Sequence, residues 1–424
     1  MLQRRLAGSI PPLYERLYIP NERTQRCYMA ASDRSEKEHE LLIRIRTCIR
    51  PQSTDEELTA VDSQDIGADD LDHELDIPTE GLRQLDLATD LQSEASSSAV
   101  PYAEVPLSEL LATLPPLLSY TPVSVPIHSQ GNRQITLLRR DLFDARFQIL
   151  NQDECDDQHV DKEVKGKAKE VFVDEQSDLV KGVYEGGLKT WECSLDLVDC
   201  LDQQGYPVDR DLATKRIRGS SVLEIGCGTA IPTCAVFARL LNEIAQDPTP
   251  EDSPKPRKTR VHVQDYNKQV LNLITFPNLL LTYAQHFLLP TQAPDADEEP
   301  ADETGRPGEL EVSPEFLDSF EAFLEREDID LRFFEGDWSG MDAAVREDPD
   351  GPYDLVLTSE TVYSVPSLGP LINLLEAASR HPTGSADETG PLCLVACKRI
   401  YFGVGGGELE FRRRVEERGA KVES

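Results

Sequence analysis

The residues able to do chemistry fall at the ends of short apolar stretches. Glu224-Ile225-Gly226-Cys227-Gly228 closes the stretch 221 to 226 and precedes an apolar helical run from Ile231. Two glycines permit a tight turn and let backbone amides approach a ligand carboxylate, and the dipole of the following helix favours that charge. A dinucleotide fingerprint requires a third glycine three residues beyond Gly228, where Ile231 stands, followed by Pro232. The turn therefore suits S-adenosylmethionine better than NAD. A plain strand-to-helix turn is the competing reading of a lone glycine pair.

Asp265 ends the next apolar stretch, the position from which a carboxylate accepts the ribose hydroxyls of a nucleoside. A cap for the following helix is its alternative. Gly336-Asp337-Trp338 ends a third stretch, where Asp337 could accept an adenine amino group and Trp338 could cover the ring. The chain has two tryptophans, and the other, Trp191, lies just upstream of the glycine turn in GGLKTWE. A fourth stretch ends in Thr358-Ser359-Glu360-Thr361-Val362-Tyr363. Ser359 is grouped with the cofactor pocket and Glu360 is the candidate for handling a nucleophile, with a helix cap or a partner for Lys398 as its alternatives.

These positions need a frame, and the sequence repeats one theme between Leu188 and Cys397. Strands are expected at 221 to 226, 261 to 265, 331 to 337, 353 to 360 and 391 to 397, separated by helical or looped crossovers. That pattern belongs to a parallel α/β sheet, whose ligands bind at the carboxyl ends of the strands. A helix capped by Ser194 is expected to show an apolar face of Leu195, Val198 and Leu201, with Asp196, Asp199 and Asp202 on another face. Further helices are expected at 231 to 245 and from Pro277. Acidic, proline-rich insertions at 247 to 258, 291 to 315 and 347 to 352 read as surface loops.

Composition sets the boundaries. Residues 51 to 110 carry sixteen carboxylates and one basic residue, Arg83, too little apolar surface to offset chain entropy. The division expected is a low-order flank at 1 to 110, an entry segment at 111 to 185 and a catalytic domain at 186 to 424. The net charge of -35 argues against a basic face for nucleic acid and is compatible with a basic protein partner. Nine cysteines without CxxC spacing indicate neither disulfides nor a zinc site, so no metal is expected. No apolar run is long enough for a membrane span or a signal core. These features fit an intracellular, cytoplasmic protein, with nuclear entry left open.

With these pieces assembled, the chain resembles the protein-histidine methyltransferase family, a seven-β-strand branch that modifies a large-subunit ribosomal protein. The resemblance spans Leu117 to Arg418 and rests on RRDLFDARFQ, GVYEGGLKTWE, VLEIGCG, QDYN, the Gly336 to Ser339 strand end, YDLVLTSETVY and YFGVGGGELEF. It implies a Rossmann-like α/β fold that uses S-adenosylmethionine, with Trp191, Glu224, Gly226, Gly228, Asp265 and Trp338 around the cofactor. It implies Glu360 and Tyr363 as catalytic residues, and Tyr401, Phe402 and Gly403 of the loop 401 to 407 as substrate-facing. The expected reaction transfers a methyl to a histidine nitrogen, with Glu360 accepting a hydrogen bond from the other ring N–H. A basic ribosomal protein is the expected partner and a monomer the expected state. The family's chains continue past Val415-Glu416-Glu417-Arg418 into a closing hairpin; this chain stops at Ser424, so an incomplete or replaced hairpin is expected. The rivals are a protein-lysine methyltransferase of the same fold and a catalytically silent ribosome-assembly binding module.

Overall fold

Apolar residues buried on both faces mark the strands at the middle of the sheet. In the computed structural model, Val222 and Leu223 are both fully buried, yet they join two different core clusters, one on each face. Leu355 and Val356, and Cys393 and Leu394, divide the same way. Strands covered on both sides favour β-branched and apolar residues without polar alternation, as parallel sheets do. The structure describes residues 42–48, 100–128, 133–141, 143, 145, 148, 187–208, 215–246, 257–288, 307–380, 390–401 and 405–423.

The elements run β1 (Leu42–Cys48), β2 (Ala103–Val105), α1 (Leu107–Ala112), β3 (Leu117–Ile127), β4 (Arg133–Arg140), α2 (Glu192–Gln203), β5 (Ser221–Ile225) and α3 (Ile231–Gln246). They continue as β6 (Thr259–Asp265), α4 (Phe276–Phe287), β7 (Gly308–Glu311), α5 (Pro314–Arg326), β8 (Ile329–Glu335) and α6 (Trp338–Glu347). The last are β9 (Leu355–Ser359), α7 (Leu368–Ala378), β10 (Leu392–Lys398), α8 (Glu408–Glu417) and β11 (Lys421–Glu423). Eight strands form one sheet in the order β11-β1-β10-β9-β5-β6-β8-β2, and β4-β3-β7 form a second. Every pairing in the large sheet is parallel except that of β2 with β8. This is the Rossmann-like α/β architecture expected from the strand pattern. Its registers set Ile225 beside Thr358 and Asp265 beside Glu335, so the glycine turn, Asp265, Gly336 and Glu360 share one edge.

Three pieces of the segment expected to be a low-order flank are regular structure: β1, β2 and the start of α1. Leu42–Cys48 lies between β10 and β11, with Ile43 and Ile45 buried, and Ala103–Val105 pairs with β8. Acidity averaged over 51 to 110 hides the three residues of β2, and β1 is a single seven-residue stretch, LIRIRTC, that shows its place only through distant partners. The slot next to β10, where an incomplete hairpin is expected, is filled by β1, and β11 closes that edge. The insertion at 291 to 315 also contains β7, which pairs with β3. Helix α5 follows it, started by Ser313, whose hydroxyl accepts from the Phe316 amide, and by Pro314 in the first turn.

Helix α2 departs from the expected amphipathic face. Asp196, Asp199 and Asp202 are buried. The His128 amide donates to Asp199 at 2.8 Å, and Arg133 holds Asp202 at 3.0 Å. The β3–β4 hairpin thus supplies donors that turn an acidic stripe into an internal face. Ser194 is no cap; the helix starts at Glu192, and the Ser194 hydroxyl donates back to the Trp191 carbonyl at 2.7 Å. Among the described residues, Cys193, Cys200, Cys227, Cys234, Cys393 and Cys397 are buried and in no disulfide, no cluster could hold a metal, and no helix is long and apolar enough to cross a membrane.

Candidate active site

A cavity of about 470 Å³ opens at the carboxyl edge of the large sheet. Trp191, Gly226, Gly228, Asp265, Asp337, Trp338, Ser359, Glu360 and Tyr363 line it, together with Lys189, Ser194, Tyr266 and Thr361. A second depression of about 490 Å³ lies against α5 and contains none of these residues.

The floor is the turn after β5. Gly226 and Gly228 have φ of +61° and +50°, and a Cβ on Gly228 would stand 3.2 Å from the Gly187 backbone. Only glycine meets both demands without strain. The turn is held from below by Asp265, whose Oδ2 accepts the Gly228 amide at 3.0 Å, and by Thr275, whose hydroxyl donates to the Gly228 carbonyl at 2.6 Å. Thr275 ends a π-helical segment, Leu271–Thr275, that enters α4. Such widened turns bring a side chain to a site that regular helix would miss.

Gln264 fastens one wall. Its side-chain oxygen accepts from the Gly226 amide at 3.2 Å and from the Trp338 indole at 3.0 Å, and its NH₂ donates to the Gly336 carbonyl at 2.8 Å. The indole is thereby fixed beside the turn, its Cζ2 3.9 Å from where a Cβ on Gly226 would stand. Asp337 is the N-cap of α6, accepting from Ser339 and Gly340. Asp265 does not cap the helix that follows it; its Oδ1 accepts from Asn267 at 3.0 Å in a local turn.

Two expected site residues lie behind the cavity. Glu224 is fully buried and does not reach the lining; its Oε2 accepts from the Thr233 amide at 2.9 Å and from the Thr233 hydroxyl, tying the start of α3 to β5. Burial pushes its carboxyl up to about 8 against the bonds from Thr233, with the charge of Asp265 adding to the rise. Tyr401 stands behind Glu360 and donates to its Oε2 at 2.6 Å. Phe402 and Gly403 lie outside the described residues.

The far wall is built on Glu360, a non-glycine residue at φ +59°. The Glu360 amide donates to the Ala396 carbonyl at 2.9 Å, which fixes this left-handed turn against β10. Lys398 at the end of β10 sits 3.1 Å from Glu192 and 3.5 Å from Glu360, with its ammonium 5.0 Å from the centre of the Trp191 ring. Gly406 packs so closely on the Tyr363 carbonyl that a Cβ would come within 2.2 Å of it, and Ser364 bridges Gly405. Gln264, Thr275, Lys189 and Glu192 are contributors the motifs did not single out for a role; Lys398 enters the sequence reading only as an alternative partner for Glu360, and the structure places it there, 3.5 Å from Oε1.

A parallel sheet with a glycine turn after the first central strand, an acid after the second and an indole after the third defines the Rossmann-like methyltransferase class. No family profile matches the chain. It is 35% identical over 313 residues to Histidine protein methyltransferase 1 of Schizosaccharomyces pombe, covering 73% of this chain and 76% of that protein. It is 28% identical to Histidine protein methyltransferase 1 of Saccharomyces cerevisiae, over 66% of this chain and 69% of that one. The Bos taurus Histidine protein methyltransferase 1 homolog is 33% identical over 57% of this chain and 51% of its own length. The chain belongs to the histidine protein methyltransferase family.

Proposed function

We propose that the protein transfers a methyl group from S-adenosylmethionine to a histidine imidazole of a basic large-subunit ribosomal protein. The observation that carries this reading is the cavity itself, with a nucleoside-sized wall of Asp265 and Trp338 on one side and the carboxylate of Glu360 on the other. The residues fit the donor. Glycine at 226 and 228 leaves the turn free of side chain, Asp265 offers carboxylate oxygens for ribose hydroxyls, Trp338 offers an aromatic face, and Trp191 closes the opposite side. When bound, this group supplies a methyl carried on a sulfonium.

The chain's own part is to hold the acceptor. Neutral imidazole is abundant near its ordinary pKa of about 6.5, so no strong base is needed, only selection of one ring nitrogen. Glu360 accepts the N–H of the nitrogen that does not react and so turns the other toward the donor. Its charge also favours the imidazolium that forms. Tyr363 lines the same wall and Tyr401 holds the carboxylate from behind. The chain's net charge of -35 suits a basic protein acceptor.

Labelled methyl transfer to ribosomal proteins, followed by site mapping, tests the reading. Glu360→Gln is expected to keep donor binding and to lower turnover by about a hundredfold or more, the usual worth of a positioned acid–base group. Label on lysine, or unchanged turnover in the variant, overturns it.

A further inference from the structure

The cluster of Glu192, Glu360, Lys398 and Tyr401 has more members than orienting a ring requires. Glu360 is nine-tenths buried, and its two oxygens are treated differently. Oε2 is taken by the Tyr401 hydroxyl at 2.6 Å, and that hydroxyl in turn accepts the Lys398 amide at 3.1 Å. Oε1 is buried without a hydrogen-bond partner and faces the Lys398 ammonium at 3.5 Å. That ammonium lies nearer the other carboxylate, at 3.1 Å from Glu192 Oε2, which also lacks a hydrogen bond. One cation thus serves two carboxylates and completes a hydrogen bond with neither oxygen.

We infer that Lys398 is a positioning residue: a counterion shared between Glu192 and Glu360 that covers Oε1 at rest and uncovers it to a ring N–H by withdrawing toward Glu192 when the acceptor arrives. The inference rests on the role proposed for Glu360. A cation bonded fully to Oε1 would block the acceptor, and no cation would leave the buried Glu360 carboxylate without a countercharge. Glu192 relieves the first difficulty by drawing the ammonium aside, and Lys398 relieves the second by proximity. Trp191 supports the ammonium from its ring face, so the same indole that lines the cavity holds the counterion. The groups facing this cluster are Lys398 and Tyr401 from the end of β10 and Glu192 and Cys193 from the start of α2, with Lys189 beyond Glu192. Burial lowers Lys398, but Glu360 and Glu192 outweigh it and the ammonium persists; burial and the charge of Glu360 raise Tyr401, which stays a donor.

The test uses the full chain with Lys398→Met, Lys398→Arg and Glu192→Gln, reading donor binding by calorimetry and kcat and KM for the acceptor. Lys398→Met is expected to bind donor within twofold of wild type. Its kcat falls by roughly tenfold with KM for the acceptor little changed, because Glu360 loses the ion pair that fixes its carboxylate. Lys398→Arg restores kcat. Glu192→Gln raises KM for the acceptor by roughly tenfold with kcat little changed, since the ammonium then belongs to Glu360 alone and stays over Oε1. A fall in kcat from one variant and a rise in KM from the other do not arise from general loosening, and Glu192→Gln decides the matter if Lys398→Met does not fold. Values of kcat and KM within twofold of wild type in both variants overturn the inference while Glu360 keeps its role. Wild-type enzyme that puts no methyl on histidine overturns the functional reading instead, and this inference with it.

Discussion

Replacing Glu224 by glutamine should change how stability depends on pH more than it changes stability at any one pH. The carboxyl lies wholly inside the protein, where burial raises it to about 8. In the unfolded chain it titrates near its ordinary 4.5. A group raised on folding contributes stability that is complete below the unfolded value and is lost as pH climbs through the folded one. Between pH 6 and 8 the native protein retains a proton that the unfolded chain has released. At about 1.4 kcal/mol for each unit, wild type loses roughly 2–3 kcal/mol over that interval from this group. Glutamine does not titrate, yet its side-chain oxygen still accepts from the Thr233 amide and hydroxyl as Oε2 does now. Urea unfolding of both proteins at pH 6, 7, 8 and 9, at fixed ionic strength, isolates the difference, because every other titrating group is common to the two. The variant is expected to gain on wild type by about 2–3 kcal/mol between pH 6 and 9. Unfolding free energies that stay parallel across the series would refute the reasoning and place the Glu224 carboxyl in its ordinary range.

Two substitutions probe the frame around the site. Gly226→Ala puts a Cβ 2.5 Å from Thr361 Cγ2 at φ +61°. The left-handed backbone alone costs about 1–2 kcal/mol, so donor affinity by calorimetry should fall roughly tenfold or more. Adding Thr361→Ser removes the clashing methyl and should recover part of that loss; equal affinity of the single and double variants would show that the contact is unimportant. Ile43→Ala empties a fully buried position in β1 and is expected to destabilise the protein by about 2–5 kcal/mol in urea, while an unchanged midpoint would mean that β1 contributes nothing to the sheet.

The legible part of the sequence was the part governed by local pattern. Apolar runs ending in Gly, Asp or Glu gave the central strands, and the order of their ends along one edge follows from parallel topology. Pairings between distant segments were hidden. Asp196, Asp199 and Asp202 repeat at helical spacing and look solvated until the β3–β4 hairpin brings the His128 amide to Asp199 and Arg133 to Asp202. Glu224 sits in the glycine motif and so looks like a ligand contact, but alternation along β5 turns it away from the cavity and into the helix layer. The resemblance implies a substrate-facing Tyr401, and in the structure its hydroxyl holds Glu360 from the rear. The same blindness hid β1, whose seven residues are ordinary until a gap beside β10 gives them a place.

That placement of β1 governs the order in which the molecule can be completed. Its Arg44 meets Glu423 across 379 positions of chain. The strands β5, β6, β8, β9 and β10 find their neighbours through shorter connections and can assemble while β1 is still unattached. Leu42–Cys48 has no seat until β10 is formed, and β11, at the sheet edge, docks on β1 in turn, so closing this loop belongs to the end of folding rather than its beginning. During synthesis the segment leaves the ribosome hundreds of residues ahead of both its partners. For that period it is an apolar, β-forming stretch with unpaired edges, held apart from other chains by the acidic sequence behind it.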